Sequence, residues 1–425
     1  MSSVATPSTQ AEQPVQPVMS PPGRGLRIAC FIPEFPGHTH IWLWREVCGL
    51  RECGVDTLVA STRRPAPDVL ATHSFAKEVE GQVFYTWPPT IGSVLGCLAY
   101  AITHPGRVLR CFRYARALKR DGGNGTLKNL ALFLPAWRLA RWCKANGVDH
   151  VHSAPPANSV IVAHMAAMMH PMTTDVTINA NLEWWGGAMV TKLSACDAVF
   201  VITDWMMDQI RREYPEAVAK KTYLARIGID TRVWRRQERP ESTDGVLRIV
   251  SVGRLHPSKG HDDLIRAVKL VSDRGRRVRL EIAGGGPDQG RLSQLIDELG
   301  AADVAALVGP LPEDKVRTFM GQADIFVAAS HAEPLGVVYM EAMSTGTAVI
   351  GTNAGGAPEI IQHEETGLLV PPRDPEALAA AIERLASDRQ LRVRLGERAS
   401  EHVRRNFDSR MGASVIAEQV ARLRR

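Results

Sequence analysis

The chain has 425 residues, 45% of them hydrophobic, and a formal net charge of +6 at pH 7. That length accommodates two domains, each with its own core, and the apolar content with 35 glycines excludes a fibrous or wholly disordered chain. The seven cysteines all precede residue 200 and form no CxxC pair, which excludes a zinc knuckle or secreted disulfide framework and reads as the reduced thiols of a cytosolic protein.

Residues 1–24, rich in Pro, Gln, Ser and Ala, read as a disordered leader; they lack the basic and apolar regions of a signal peptide. The run LRIACFIP (26–33) predicts a buried strand, followed by a loop around Gly37, a helix over 41–54 and a strand over 55–61. No stretch reaches the length needed to cross a bilayer; residues 90–103 come nearest and are too short. Between positions 101 and 145, ten basic residues face a single acid, Asp121. Arg107, Arg110 and Arg113 recur every third residue with Leu109, Cys111, Phe112 and Tyr114 between them, which predicts a basic amphipathic helix. An anionic membrane surface or an anionic acceptor is its candidate partner, against the plain reading of a solvated helix face. No nucleic-acid module accompanies the charge, so no nucleic acid is expected.

Strand and helix signals then alternate through 148–154, 159–169, 174–180, 186–197, 198–204 and 205–214. A polar stretch near 232–245 interrupts the pattern, and strands resume at 246–255, 279–285, 305–310, 324–330 and 347–352. This alternation predicts an α/β protein of two Rossmann-like, doubly wound domains, 25–235 and 246–400, joined by a linker at 236–245. In open parallel sheets ligands sit beyond the C-terminal strand ends, so the cleft between the domains is the expected site.

Two motifs in the second half carry chemistry. In SVGRLHPSKG (251–260) a strand turns at Gly253 and carries Arg254 and Lys259 into the loop before a helix. Two cations there can neutralise a leaving diphosphate, although such a loop is as readily just solvated. Farther on, Glu333 enters a turn containing Pro334 and Gly336, and Glu341 rides the first turns of the next helix. The two acids flank a helix N-terminus with unpaired N–H groups, a layout suited to a charged, hydroxyl-rich ligand.

The Glu333-x7-Glu341 element, with EAMSTGTAVIGTNAGGAPEII, TGLLVPPRDPEALAAAI, SVGRLHPSKG and VGPLPEDKV in order, resembles the GT4 group of retaining glycosyltransferases with the GT-B fold. That group includes sucrose synthases and many lipopolysaccharide, exopolysaccharide and mannosyl transferases. The resemblance spans most of 26–400 and is densest in 248–372. It implies a hexosyltransferase that moves a sugar from a UDP- or GDP-sugar to a saccharide, lipid-linked or other hydroxyl acceptor, with no evident need for a metal. It further implies a role in envelope or exopolysaccharide synthesis, in the cytoplasm or peripherally on the cytoplasmic membrane face, and a terminal helix, 401–425, that crosses back to the first domain.

By the same resemblance, Glu333, Arg254 and Lys259 are the catalytic candidates: the acid beside the donor sugar, the cations on its diphosphate after the turn at Gly253. Amides of Leu335, Gly336 and Val337 assist, Glu341 holds the ribose, and Gly309 and Pro310 lie beside the base. Gly37, in PEFPGHTHIWLWREV, lets backbone amides approach the diphosphate; His38 and His40 are either ligands or ordinary loop histidines. His150 and His152 are read as strand-end residues facing the cleft, His152 being either an acceptor-site or a structural histidine. TINANLEWW (177–185) departs from the family pattern, with Ala180 where relatives often have histidine and Glu183 in place of an aspartate. Asn179, Asn181 and Glu183 beside Trp184 and Trp185 suit sugar hydroxyls and faces, or else order the loop. A nucleotide-sugar epimerase, a phosphorylase of the same design, and a binding scaffold without chemistry are the rival readings.

Overall fold

Runs of β-branched and aromatic residues without polar alternation form strands covered on both faces, and here they build two parallel sheets. The computed structural model describes residues 25–37, 41–66, 75–79, 81–236 and 245–424. The first sheet has strands β1 (Arg27–Glu34), β2 (Asp56–Arg63), β3 (Val83–Tyr85), β4 (His150–Ser153), β5 (Thr173–Ile178), β6 (Ala198–Val201) and β7 (Thr222–Leu224). Their order is β3-β2-β1-β4-β5-β6-β7. The second has β8 (Leu247–Val252), β9 (Val278–Ala283), β10 (Ala305–Gly309), β11 (Ile325–Ala328), β12 (Ala348–Thr352) and β13 (Leu368–Val370), ordered β10-β9-β8-β11-β12-β13. Every pairing is parallel. In each sheet the order reverses beside the first strand, between β1 and β4 and between β8 and β11, and such switch points open a crevice at the C-terminal strand ends. The expected pair of Rossmann-like domains, the GT-B fold, is what the chain adopts.

The helices that bear on function are α1 (Ile41–Glu52), α2 (Ile91–Thr103), α3 (Pro105–Arg120), α4 (Phe133–Ala145), α5 (Asn158–Met169), α6 (Asp204–Glu213), α7 (His261–Asp273), α8 (Glu313–Gly321), α9 (Val337–Ser344), α10 (Arg389–Asn406) and α11 (Ser409–Leu423). One apolar cluster crosses between the domains, joining Ile178, Val199 and Met206 to Phe326, Tyr339 and Met343. Trp234, 2% exposed, belongs to the same cluster just before the link at 237–244, which lies outside the described residues, as does the expected leader. Helix α10 runs on to Asn406 with Ser400 bonded to the Ser344 carbonyl, so the chain leaves the second domain only at Phe407. There the Ile229 amide donates to the Phe407 carbonyl (3.0 Å) and the Ser409 amide to the Ile229 carbonyl (3.0 Å). Helix α11 then packs Ile416 and Val420 with Leu43 and Val47 of α1 in the first domain.

The cysteines are all free, and six of the seven are buried; burial pushes the Cys30 thiol up to about 12. Beneath α1 lies a chain of polar contacts that corrects the reading of the two strand histidines. Residues two apart on a strand share a face, so His150 and His152 of β4 both meet Asp175 of β5. His152 Nδ1 lies 2.6 Å from Asp175 Oδ1 and its Nε2 2.9 Å from Glu46 Oε1. His150 Nε2 contacts Asp175 Oδ2 (2.8 Å) and its Nδ1 the Thr173 hydroxyl (2.8 Å). Both histidines are buried with both ring nitrogens engaged, so neither faces the cleft.

Burial works against charge on His152, but Asp175 and Glu46 outweigh it and hold its pKa well above 6.5. Burial likewise opposes the Asp175 carboxylate, yet the two histidines bring it down to about 2. The raised histidine adds stability that is full below pH 6.5 and is lost as pH rises through its folded pKa. The depressed aspartate adds stability that is present above pH 3.8 and is lost as pH falls toward about 2. Urea midpoints across pH should therefore fall on the alkaline side above 6.5, and His152→Gln should flatten that decline. An alkaline decline of the same size in the variant would assign it to another group.

Candidate active site

The site forms where the C-terminal rims of the two sheets meet. On the second sheet, β8 ends at Val252 and the Gly253 amide donates to the Ala283 carbonyl (3.0 Å). Gly284 follows with φ +153°, and a Cβ there would stand 1.9 Å from the Gly253 carbonyl oxygen, so only glycine lets the two turns approach. The Gly284 amide donates to the Gly309 carbonyl (2.9 Å), which puts Gly253, Gly284 and Gly309 in sequence along one rim. Pro310 is exposed beside them, and Arg254 projects from the Gly253 turn as an exposed cation.

The structure brings the two principal candidates together. Lys259 Nζ lies 2.5 Å from Glu333 Oε2, and the Ser330 hydroxyl donates to the same oxygen (3.0 Å). The Glu333 backbone is gripped as well, its carbonyl accepting from the Gly356 amide at 2.8 Å. Among the described residues no partner engages Glu333 Oε1, so this oxygen is the one available to a ligand hydroxyl. Gly336, at φ +87°, is the N-cap of α9; a Cβ there would meet Glu333 Cγ at 3.0 Å and the Tyr339 ring at 2.5 Å. Leu335 is buried, so it can offer a ligand its backbone only, as Gly336 and Val337 also can at the first turn of α9.

A brace behind this loop escaped the sequence reading. His331 Nε2 contacts Asp263 Oδ2 of α7 (2.7 Å), and the His331 amide donates to the Ser258 carbonyl (2.8 Å). The Lys259 turn and the Glu333 loop are thus tied together at a second point. Asp262 joins Asp263 and His331 within 4.8 Å, but it is already paired with Arg291 at 3.2 Å. Beside the turn, His261 is buried and held down at about 4 by that burial, so it adds no charge at neutral pH.

Glu341 sits farther along α9 with its side chain 14% exposed, and burial raises its pKa against the pull of Arg45. Arg45 comes from α1 of the other domain. One guanidinium nitrogen reaches both Glu341 Oε1 (2.9 Å) and Glu313 Oε1 of α8 (2.8 Å), while the guanidinium lies 5.8 Å from the Trp234 ring centroid. Burial opposes the charge on Arg45, but Glu341 and Glu313 outweigh it and raise its pKa. Trp234 adds an indole N–H to Glu313 Oε1 at 3.3 Å. A second bridge lies nearby: the Glu359 carboxylate accepts from the amides of Asp204 and Trp205 at the start of α6, each at 2.8 Å. An arginine inside the apolar run IWLWREV and a glutamate in APEII were the available sequence signals for these bridges.

On the first sheet, Gly37 is buried three residues beyond β1, and His38 and His40 lie outside the described residues. After β5, Ala180 is buried and Leu182–Trp185 form a single 3-10 turn with Glu183 and Trp184 exposed. Lys192 supports this loop from beneath, donating to the carbonyls of Trp185 (2.9 Å) and Pro156 (3.2 Å), and burial brings its pKa down to about 8.

Comparison with known proteins bears on the family and the fold. Residues 233–402 match the family described as glycosyl transferases group 1. Alpha-maltose-1-phosphate synthase of Mycolicibacterium smegmatis is 31% identical over 324 residues, covering 68% of this chain and 78% of that protein. The D-inositol 3-phosphate glycosyltransferase of Corynebacterium glutamicum is 38% identical over 162 residues, or 37% of this chain and 39% of that one. Among solved structures, a glycosyltransferase from Rickettsia africae superposes with a TM-score of 0.69 at 17% identity, over 93% of this chain and 99% of its own. Anabaena HepE, solved with UDP and glucose, gives 0.68 at 18% identity, over 93% of this chain and all of its own. The chain belongs to the group 1 glycosyltransferases, and it is a sugar-transferring enzyme.

Losing one partner of a fully buried ion pair costs about 3–5 kcal/mol. Glu313 is 35% exposed, so Arg45→Met should cost less, about 2 kcal/mol in a urea titration. Adding Glu341→Gln should restore part of that loss by removing the stranded carboxylate. An unchanged midpoint in Arg45→Met would show that the bridge contributes nothing to stability.

Proposed function

We propose that the enzyme transfers a sugar from a nucleotide diphosphate donor to a hydroxyl acceptor with retention at the anomeric carbon. The observation that carries this reading is the Lys259–Glu333 pair at the mouth of α9, on the rim that also bears Arg254 and the Gly253–Gly284–Gly309 row. A lysine and an arginine beside free helix amides form a site for a diphosphate, and the developing charge on that leaving group is what they would stabilise. Lys259 would bridge the diphosphate to Glu333, whose Oε1 then accepts from a donor-sugar hydroxyl. The bond from the anomeric carbon to the phosphate oxygen breaks, the acceptor oxygen bonds that carbon on the same face, and the acceptor proton passes to the departing phosphate.

Glu341 retains Oε2 for the ribose hydroxyls, since Arg45 engages Oε1. Gly309 and Pro310 would border the base, and Gly37 the diphosphate from the facing domain. UDP and GDP are the donor nucleotides we propose, without a metal as a required participant. The UDP and glucose bound by HepE support a nucleotide-sugar donor. The acceptor is a saccharide or lipid-linked hydroxyl in envelope or exopolysaccharide synthesis, and the basic segment 101–145 faces an anionic membrane surface. Among the described residues no helix is long and apolar enough to cross a membrane, so attachment would be to the surface.

Thermal shifts with UDP, GDP and ADP, followed by turnover with the matching sugar nucleotides, test the reading. Glu333→Gln should lower kcat by about 10²-fold or more while keeping the nucleotide-induced shift, whereas Lys259→Met should also weaken that shift. Unchanged kinetics in both variants would remove the assigned site. An epimerised nucleotide sugar formed without any acceptor would replace transfer by epimerisation.

A further inference from the structure

We infer that α2 is a bilayer-inserting element and that, with the exposed cations of α3, it forms a docking face for anionic phospholipid. This rests on the membrane-facing reading of the basic segment and extends it to a helix that lies almost entirely outside that segment. Helix α2 has the sequence IGSVLGCLAYAIT, without a single charge. Its inner face is fixed by Cys97, which is buried, and by Gly96, where a Cβ would stand 2.7 Å from the Trp137 ring. Its outer face is apolar and uncovered: Ile91 is 82% exposed, Leu95 62%, Leu98 57% and Ile102 80%. The spacing of four, three and four residues aligns these side chains in one stripe. At about 1.5 Å per residue the helix is roughly 20 Å long, too short to span a bilayer but suited to lie along its surface.

Helix α3 follows after His104 and supplies the charge. Arg107 is turned inward, donating to the Tyr100 hydroxyl and the Met169 carbonyl, and Cys111 and Tyr114 are buried. Arg110, Arg113, Arg116, Lys119 and Arg120 are exposed, with Leu109 and Phe112 exposed among them. Arg138 of α4 is also drawn inward, to the carbonyls of Thr86 (2.6 Å) and Pro88 (2.7 Å), while Lys128 and, on α4, Arg141 and Lys144 stay exposed; α3 carries the larger share of the outward charge. An apolar stripe beside a basic face complements a surface with an acyl interior and anionic headgroups. A second copy of this chain would set arginines against arginines, which disfavours it as the occupant.

The face also leads to the cleft. Helix α3 ends at Asp121, whose carbonyl accepts from the Ala188 amide (2.8 Å) and whose carboxylate accepts from the Thr191 amide (2.7 Å). These residues close the loop that carries exposed Trp184. A bilayer lying on α2 and α3 would therefore adjoin the acceptor side of the site.

The test is co-sedimentation of the full chain with vesicles of phosphatidylglycerol and phosphatidylcholine in equal parts, and with phosphatidylcholine alone, at low and high salt. The native protein should bind the anionic vesicles and retain a salt-resistant fraction, because inserted apolar side chains are not screened. Leu95→Ser/Leu98→Ser/Ile102→Ser should lower binding about tenfold or more and abolish that fraction, while Arg110→Glu/Arg113→Glu should remove the salt-sensitive part. Nucleotide-induced thermal shifts in both variants report that the fold is kept. If the serine variant binds as the native protein does and the glutamate variant does not, insertion is overturned and the electrostatic reading stands. No binding of the native protein to anionic vesicles at low salt would overturn both.

Discussion

Parallel strands covered by helices on both faces leave one place for polar chemistry, the C-terminal rim, and the rest of this molecule follows from that constraint. Val, Ile, Leu and Phe fill most of the strand interiors, so charged residues enter mainly where the chain turns out of a sheet; the buried Asp175–His152–Glu46 chain is the exception, and there every charge is paired. Arg254, Lys259, Glu333 and Glu341 all occupy such exits or the helix turn just beyond them. The rim of the first sheet supplies Arg45 and the start of α6, and these meet Glu341, Glu313 and Glu359 from the opposite side. The cleft is thus lined with charge because the cores admit it only where it is fully paired, as at Asp175 and His152.

The two glutamates that the sequence singles out live in different electrostatic settings. Glu333 is held by a lysine and a hydroxyl of its own domain, at a loop whose backbone is also bonded. Its placement does not depend on the other domain. Glu341 instead shares a cation with Glu313 across the cleft, and burial pushes its pKa up despite that cation. Any movement that separates the domains must break this bridge and the Glu359 contacts, exposing charges that the closed arrangement satisfies. Hinge motion in such a protein is therefore coupled to Glu341, the residue proposed for the ribose.

Much of this was legible before the structure. The long apolar strands, the polar interruption near 232–245 and the order of the motifs identify two doubly wound domains, because each rests on local composition. Three strands were not legible: Val83–Tyr85, Thr222–Leu224 and Leu368–Val370 are three-residue edge strands, too short to show any period. Sequence alone puts His150 and His152 at a strand end facing the cleft, whereas Asp175 and Glu46, distant in sequence, hold them in the interior. Arg45 carries the same lesson in reverse. A lone charge in a tryptophan-rich helix has no local explanation, and its meaning appears only when residues nearly 300 positions away arrive beside it.

The segment 90–103 shows why hydropathy must be read together with topology. As a linear string it is a failed membrane span, and a core helix is the usual fate of such a string. Here the first sheet ends at β3, and the faces of α3, α4 and α5 already cover the sheet, so only one side of α2 finds a partner in Trp137 and its neighbours. The opposite side has nothing left to pack against. A charge-free helix in that position costs solubility unless another apolar phase covers it, and the arginines of the adjoining helix are the basis for proposing an anionic bilayer as that phase. On the proposed reading, donor chemistry is concentrated in the second domain, and the first domain would join the acceptor side to the surface on which an acceptor is carried.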